Sequence, residues 1–188
     1  MFQNQYKPQA WESLRGNWVT VIIATIINGL ILGAASSMFY GIPGLVLAGV
    51  LGFGLSRLFL SCIRGGEFGL GDLFAGFQIN FTNNILTGLL SSLYIFLWSL
   101  LFLIPGIIKS YAYAMVFYVL NDNPELSPSE ALQESERIMN GHKLEWFLIQ
   151  LSFIGWILLS VITFGIASLW LTPYMEATKA AFYGDIKN

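Results

Sequence analysis

The sequence is poor in the side chains that most often carry chemistry. It has one cysteine, Cys62, and one histidine, His142. A single cysteine excludes an internal disulfide and a CxxC metal motif, and a single histidine excludes a histidine-rich metal cluster. No acid, base and nucleophile fall at a spacing that predicts catalysis. We therefore expect no catalytic residue, no metal site, no cofactor and no enzymatic activity.

Charge is also scarce, at 11% of residues against about 25% in a soluble domain. Hydrophobic residues make up 55% of the chain. A soluble fold of this length cannot bury so much apolar surface, so lipid must be the solvent for part of it. The net charge of -2 without a basic patch argues against nucleic-acid binding. We expect one integral membrane domain over residues 1–188, with membrane lipids as partners.

Six apolar runs divide the chain, and a span needs about 20 residues at a rise of about 1.5 Å each. The fold class predicted is therefore all-α, a polytopic membrane bundle of six transmembrane helices. Four runs reach the required length, and the fourth and sixth are short enough to need little tilt or a thinned bilayer. The predicted spans are about 18–40, 42–62, 85–104, 105–120, 144–164 and 166–182.

Three joints between the runs carry glycine or proline and no charge, at 40–44, 104–106 and 164–165. Because these residues break helices and permit tight reversals, the runs are predicted to form three tight hairpins. The turns lie about 60 residues apart, which indicates a repeated unit. That unit is a short interfacial helix, a span, a turn and a returning span.

Orientation follows from the basic residues, which concentrate on the cytoplasmic side of membrane proteins. In the six-span arrangement, Lys109 alone lies near the face opposite the termini. The other eight of the nine Lys and Arg residues fall on the face of the termini: Lys7, Arg15, Arg57, Arg64, Arg137, Lys143, Lys179 and Lys187. Both termini are therefore predicted to be cytoplasmic.

A short acidic helix is predicted at 128–140, in the polar linker between the fourth and fifth spans. Ser127 and Glu130 form a capping-box pattern around Pro128, and Asn140-Gly141 stops the helix. Leu132, Ser135 and Met139 would lie along one stripe. We expect the helix to lie at the cytoplasmic interface, where it could contact a protein partner.

Polar residues inside spans are costly and suggest function by default. The candidate intramembrane network consists of Arg57, Lys109, Gln150, Glu176 and Lys179. Its members either join the helices or line a polar cavity for an ion, a lipid headgroup or a peptide. We expect Arg57 to hold Glu176, because its planar fork can bind a carboxylate with two bonds. A helix irregularity is expected at Pro173.

Two further patterns have a packing interpretation. Gly29-x-x-x-Gly33 in the first span permits close helix approach, either within the bundle, which we favour, or in a homodimer. Trp18, Trp146 and Trp170 fit interfacial or packing positions.

Several segments together carry a family resemblance: 104–111, 134–143, 151–156 and 169–183. They include Ile104-Pro105-Gly106, Gly141-His142-Lys143 and Leu171-Thr172-Pro173-Tyr174. With them the sequence resembles the bacterial integral membrane family labelled domain-of-unknown-function 975, most strongly from Ile104 onward. The resemblance implies a multi-pass protein of the bacterial cell membrane and brings no established activity, substrate or catalytic residue.

These observations favour a non-enzymatic membrane module that acts through a lipid or protein partner. Protection against membrane-active peptides is one form of that role. The alternative is a small transporter or channel acting as an oligomer, suggested by charges within spans and by helices expected to break at Pro105 and Pro173. An intramembrane enzyme is the least favoured hypothesis, because carboxylate or Ser/His pairs at matching depth are missing.

Overall fold

A computed structural model describes residues 5–38 and 41–187. Phe39 and Tyr40, the predicted end of the first span, lie outside the described residues. Within those ranges the chain forms eleven α-helices, one 3₁₀ helix at Leu70–Phe74, and no strand. The α-helices are α1 Tyr6–Leu14, α2 Trp18–Ser36, α3 Ile42–Ile63, α4 Ala75–Gln78, α5 Phe81–Leu101, α6 Leu103–Ala112, α7 Val116–Asp122, α8 Pro128–Ile138, α9 Lys143–Leu151, α10 Ile154–Ile162 and α11 Ser168–Ile186.

In the described part of the chain, five helical segments are long and apolar enough to cross a membrane: α2, α3, α5, α6 with α7, and α9 with α10. The all-α class is confirmed, whereas six spans are not. The sixth predicted span overlaps α11, which is not among the five. Glu176, Lys179 and Asp185 lie along α11 and reduce its apolar character.

The turns agree with the predicted joints in two of three places. Gly41 and Gly165 have φ of 83° and 87°, left-handed values that glycine adopts without strain. The third turn lies at Phe102, whose backbone is extended, so Pro105 falls within the first turn of α6. Its missing N–H costs nothing there, because the first N–H groups of a helix have no intrahelical acceptor.

Helix breaks occur where no proline stands. The prediction that the helix breaks at Pro173 is wrong, since α11 continues through this residue. The segment 103–122 is interrupted at residues 113–115, and the segment 143–162 at residues 152–153. Both interruptions are single turns between helices that carry the chain onward.

The core is concentrated at one end of the helices. α3 packs against α2, α5, α7 and α11, while α1 packs along α11. Large buried side chains there include Phe59, Tyr118, Phe182 and Tyr183. The other end is apolar and exposed, as around Phe102 and Phe164, which are 74% and 99% exposed. A surface of this kind suits contact with lipid.

Glycines allow the closest helix contacts, although at other positions than predicted. A Cβ on Gly54 would collide with the backbone of Leu73, and one on Gly88 would come within 2.7 Å of Gly49 Cα. In contrast, a Cβ on Gly29 or Gly33 would meet nothing within 4 Å. The favoured interpretation of the Gly29-x-x-x-Gly33 pattern as packing within the bundle is therefore wrong.

The acidic linker helix is present as α8, and its predicted cap is confirmed. Ser127 Oγ accepts from Glu130 N at 3.4 Å, and Glu130 Oε2 accepts from Ser127 N at 2.8 Å. Its buried stripe includes Leu132 and Ser135 and packs against α5, α6 and α7. Ser135 Oγ donates to Ala112 O at 2.8 Å, which ties the helix to the bundle.

Candidate functional site

A polar cavity of about 260 Å³ lies between α6, α9 and α11. It brings together three of the five residues of the predicted network, Gln150, Glu176 and Lys179. Polar and apolar groups contribute almost equally to its wall. The lining residues are Ser110, Tyr111, Ala114, Trp146, Gln150, Phe153, Met175, Glu176 and Lys179.

Helix periodicity explains why these side chains share one cavity. Glu176 and Lys179 are three residues apart on α11, and Trp146 and Gln150 are four apart on α9, so each pair lies on one helix face. Ala114 and Phe153 come from the two helix interruptions. The breaks thus border the cavity on two sides.

The charges of the cavity are unpaired. Within residues 5–38 and 41–187, neither Glu176 nor Lys179 forms an ion pair, and the Gln150 amide group makes no hydrogen bond. Both charged side chains are only partly exposed. Since an uncompensated charge in a poorly solvated place is costly, these groups are suited to a ligand that carries the complementary charges.

A buried hydroxyl lies close to this charged face. Tyr118 is 1% exposed, and its OH has no hydrogen-bond partner among the described residues. Lys179 Nζ lies 5.7 Å from the centre of the Tyr118 ring, and Glu176 is near enough to interact with it electrostatically. Ser110, which also lines the cavity, donates its Oγ hydrogen to Ile107 O at 2.7 Å.

The predicted ion pair between Arg57 and Glu176 is wrong. Arg57 Nε instead donates to Asp72 Oδ1 at 3.3 Å, and the Arg57 side chain is 42% exposed. The 3₁₀ helix brings Asp72 beside α3, only 15 positions along the chain from Arg57. The Arg57 guanidinium therefore binds Asp72, and not a carboxylate on α11.

Lys109 also lies outside the cavity. Its Nζ pairs with Glu136 at 2.6 Å and faces the rings of Trp98 and Tyr113 at 5.5 Å. Glu136 belongs to α8, the helix expected on the other side of the membrane from Lys109. Placing Lys109 and α8 at opposite faces is therefore wrong, because α8 runs back along α6 and α7.

Two polar clusters were missed by sequence reasoning. In one, Asp122 accepts from Arg64, Tyr183 and Lys187 at 2.8, 2.9 and 2.9 Å. The signal that could have found it is the predicted repeat, because Arg64, Asp122 and Lys187 each stand at the end of a predicted returning span.

The second missed cluster joins α1, α9 and α11. Tyr6 OH lies 2.8 Å from Asp185 Oδ2 and 3.4 Å from Glu145 Oε1, while His142 Nδ1 lies 3.1 Å from Glu145 Oε2. Burial and the bond to Asp185 raise the pKa of Tyr6. The cluster fixes α1 to the bundle. No group of three or more His, Cys, Asp or Glu side chains suited to a metal ion occurs in the described part of the chain.

Comparison with known proteins gives one family. Residues 100–188 match the family described as "Protein of unknown function (DUF975)". All nine residues that line the polar cavity fall within the matched segment. Neither the curated proteins nor the solved structures provide a match.

Proposed function

We propose that this chain, whose residues 100–188 match the family described as "Protein of unknown function (DUF975)", is a non-enzymatic membrane protein that binds the zwitterionic headgroup of a lipid in the polar cavity. The observation that carries the proposal is the unpaired Glu176 and Lys179 on one wall. Glu176 suits an ammonium group and Lys179 suits a phosphate, each through a charge-assisted hydrogen bond. Gln150 and Tyr111 offer further polar contacts.

The proposal includes the membrane arrangement. Three hairpins would place six spans in a bacterial cell membrane, with α11 as the sixth and both termini in the cytoplasm. Five apolar helices and the one-sided distribution of Lys and Arg support this arrangement. The order of elements supports it too, since a short helix precedes two long segments three times: at α1, at α4 and at α8.

Lipid binding is tested with purified protein and native mass spectrometry. Phosphatidylethanolamine, which carries both charges, is expected to remain bound to the wild type at higher collision energy than phosphatidylglycerol, which lacks the ammonium. Glu176→Gln and Lys179→Met should each remove this preference. Glu125→Gln serves as the matched control, since Glu125 is exposed in the linker. Equal retention of both lipids by the wild type would refute the proposal.

A second function, transport by an oligomer, is favoured by the helix interruptions at 113–115 and 152–153. Interrupted spans beside a polar midsection are typical of secondary transporters. Solute or ion flux into liposomes that contain the purified protein measures this directly. Flux that is lost in Glu176→Gln and kept in Glu125→Gln would put transport ahead of lipid binding.

A further inference from the structure

A second cavity, of about 220 Å³, lies between α1, α2, α10 and α11 and is separate from the polar one. Four of the six tryptophans of the chain line it. Its wall is almost wholly apolar. The lining residues are Trp11, Trp18, Trp156, Ala167, Trp170, Leu171 and Tyr174.

The aromatic rings form the wall of this cavity, which opens on the lateral surface of the helical bundle. Trp11 meets Trp18 at a centroid distance of 5.1 Å and an interplanar angle of 62°, and it meets Tyr174 at 5.7 Å and 80°. Trp156 and Trp170 are 54% and 53% exposed, so the cavity opens toward the apolar outer surface of the bundle. An acyl chain can enter from that side.

Lys7 provides a cation next to the lining residues Trp11 and Tyr174, although it is not itself part of the cavity wall. Lys7 lies one helical turn before Trp11 on α1, and its carbonyl accepts from Tyr174 OH at 3.3 Å. Its Nζ lies 4.0 Å from the centre of the Phe153 ring and donates to Ser152 O at 3.2 Å. Phe153 in turn contacts Tyr174 at 5.4 Å. No carboxylate pairs with Lys7 among the described residues, and two of its three donors are unused.

The charge of Lys7 discriminates between the two classes of ligand that such a cavity could bind, a cation and an anionic amphiphile. Aromatic rings also hold quaternary ammonium groups, but the nearby Lys7 ammonium would repel a second cation. An anion at Lys7 with an apolar chain against the rings satisfies both features. We infer that this cavity binds the chain of a long-chain carboxylic acid, with its carboxylate on the Lys7 ammonium. The cavity volume of about 220 Å³ is small, which favours a single-chain amphiphile over a two-chain phospholipid.

Tryptophan fluorescence provides the test, because the binding site contains the reporters. The intact protein in nanodiscs is titrated with a fatty acid brominated along its chain, which quenches tryptophan on contact. The wild type should show a saturable loss of emission. Lys7→Gln should weaken the apparent affinity about tenfold, as expected for the loss of one charge-assisted bond. Lys7→Arg should keep the affinity of the wild type. Lys143→Gln, which changes a comparable lysine at the start of α9, should also leave the affinity unchanged.

Two further arms separate the occupants. A brominated alcohol of equal length should bind the wild type and Lys7→Gln alike, because it has no charge for Lys7. Ala167→Phe, which fills the cavity, should abolish the saturable quenching. Equal affinity for acid and alcohol in the wild type would overturn the inference. So would displacement of the acid by phosphatidylglycerol, which would make a phospholipid the occupant, or saturable quenching that persists in Ala167→Phe.

Discussion

Arg64 and Asp122 form a two-bond ion pair, with Nη1–Oδ1 and Nη2–Oδ2 distances of 2.8 Å. The pair joins the ends of α3 and α7, and Lys187 adds a bond from the end of α11. The Asp122 side chain is 16% exposed, less than the side chains of Arg64 and Lys187. The ends of α3, α7 and α11 are thus tied together at one carboxylate.

Removal of that carboxylate should destabilise the protein. Asp122→Asn leaves Arg64 and Lys187 without their anion, and we expect a loss of about 1–3 kcal/mol, which is typical of hydrogen bonds to charged groups. Lys187→Met should cost less, because it removes one of several donors. The midpoint of thermal unfolding in detergent measures both, with Glu125→Gln as the control. Equal effects of Asp122→Asn and Glu125→Gln would show that the pair contributes nothing.

Replacement of glycine by alanine should change the stability of the protein in opposite directions at Gly54 and Gly33. Gly54→Ala places a methyl group against the Leu73 backbone and should destabilise the protein by about 1–3 kcal/mol, as overpacking does. Gly33→Ala meets open space and should stabilise α2 by up to about 1 kcal/mol through helix propensity. Unfolding midpoints check both. If Gly33→Ala instead shifts the protein from dimer to monomer on light scattering, this face of α2 is a homodimer contact.

The cap of α8 can be tested by its deletion. Ser127→Ala removes the acceptor for Glu130 N and should cost the helix about 0.5–2 kcal/mol. Hydrogen exchange of the amides at 128–138 should accelerate accordingly. Gln133→Ala, an exposed change on the same helix, should not accelerate it. Unchanged exchange in Ser127→Ala would contradict the role of the cap in holding α8.

Acid should loosen α8. Hydrogen bonds from Ser127 hold the pKa of Glu130 below its usual value of 4.5, and the Arg137 guanidinium does the same for Glu134. Groups with a depressed pKa stabilise the fold above the unfolded value, and this contribution is lost as pH falls through the folded value. The mobility of a spin label at Gln133→Cys, in a Cys62→Ser background, should therefore rise below about pH 4.5. Combining Glu130→Gln and Glu134→Gln should remove this pH dependence; a rise of the same size in the double variant would refute it.

Topology can be settled with introduced thiols. Native Cys62 is a poor reporter, because it is 4% exposed and its thiol donates to Ser13 O at 3.3 Å. In a Cys62→Ser background, we expect an impermeant maleimide added to intact cells to label Phe164→Cys and not Glu125→Cys. Labelling of Glu125→Cys from outside would reverse the orientation. Failure to label Phe164→Cys from either side would place the α10–α11 turn within the bilayer.

Much of the fold could be predicted because it depends on local properties. Apolar runs long enough for helices, glycine at the turns of Gly41 and Gly165, and the capping pattern at Ser127 act over one or two helical turns. Sequence reasoning failed where a neighbour in space decides. The planar fork of Arg57 favours a carboxylate partner, as predicted, but that partner is Asp72, which the 3₁₀ helix places beside α3, and not Glu176.

By itself, the sequence determined the all-α class, the positions of most helices and the placement of Glu176 and Lys179 on one face of a helix. Helix spacing was enough for these, because residues three or four apart on one helix face the same way. Only the tertiary structure decided which partners the charges find and where the helices break. It also decided that four tryptophans from four helices meet beside Lys7. Such contacts depend on how helices that are distant in the sequence pack against one another, and no local sequence pattern specifies that packing.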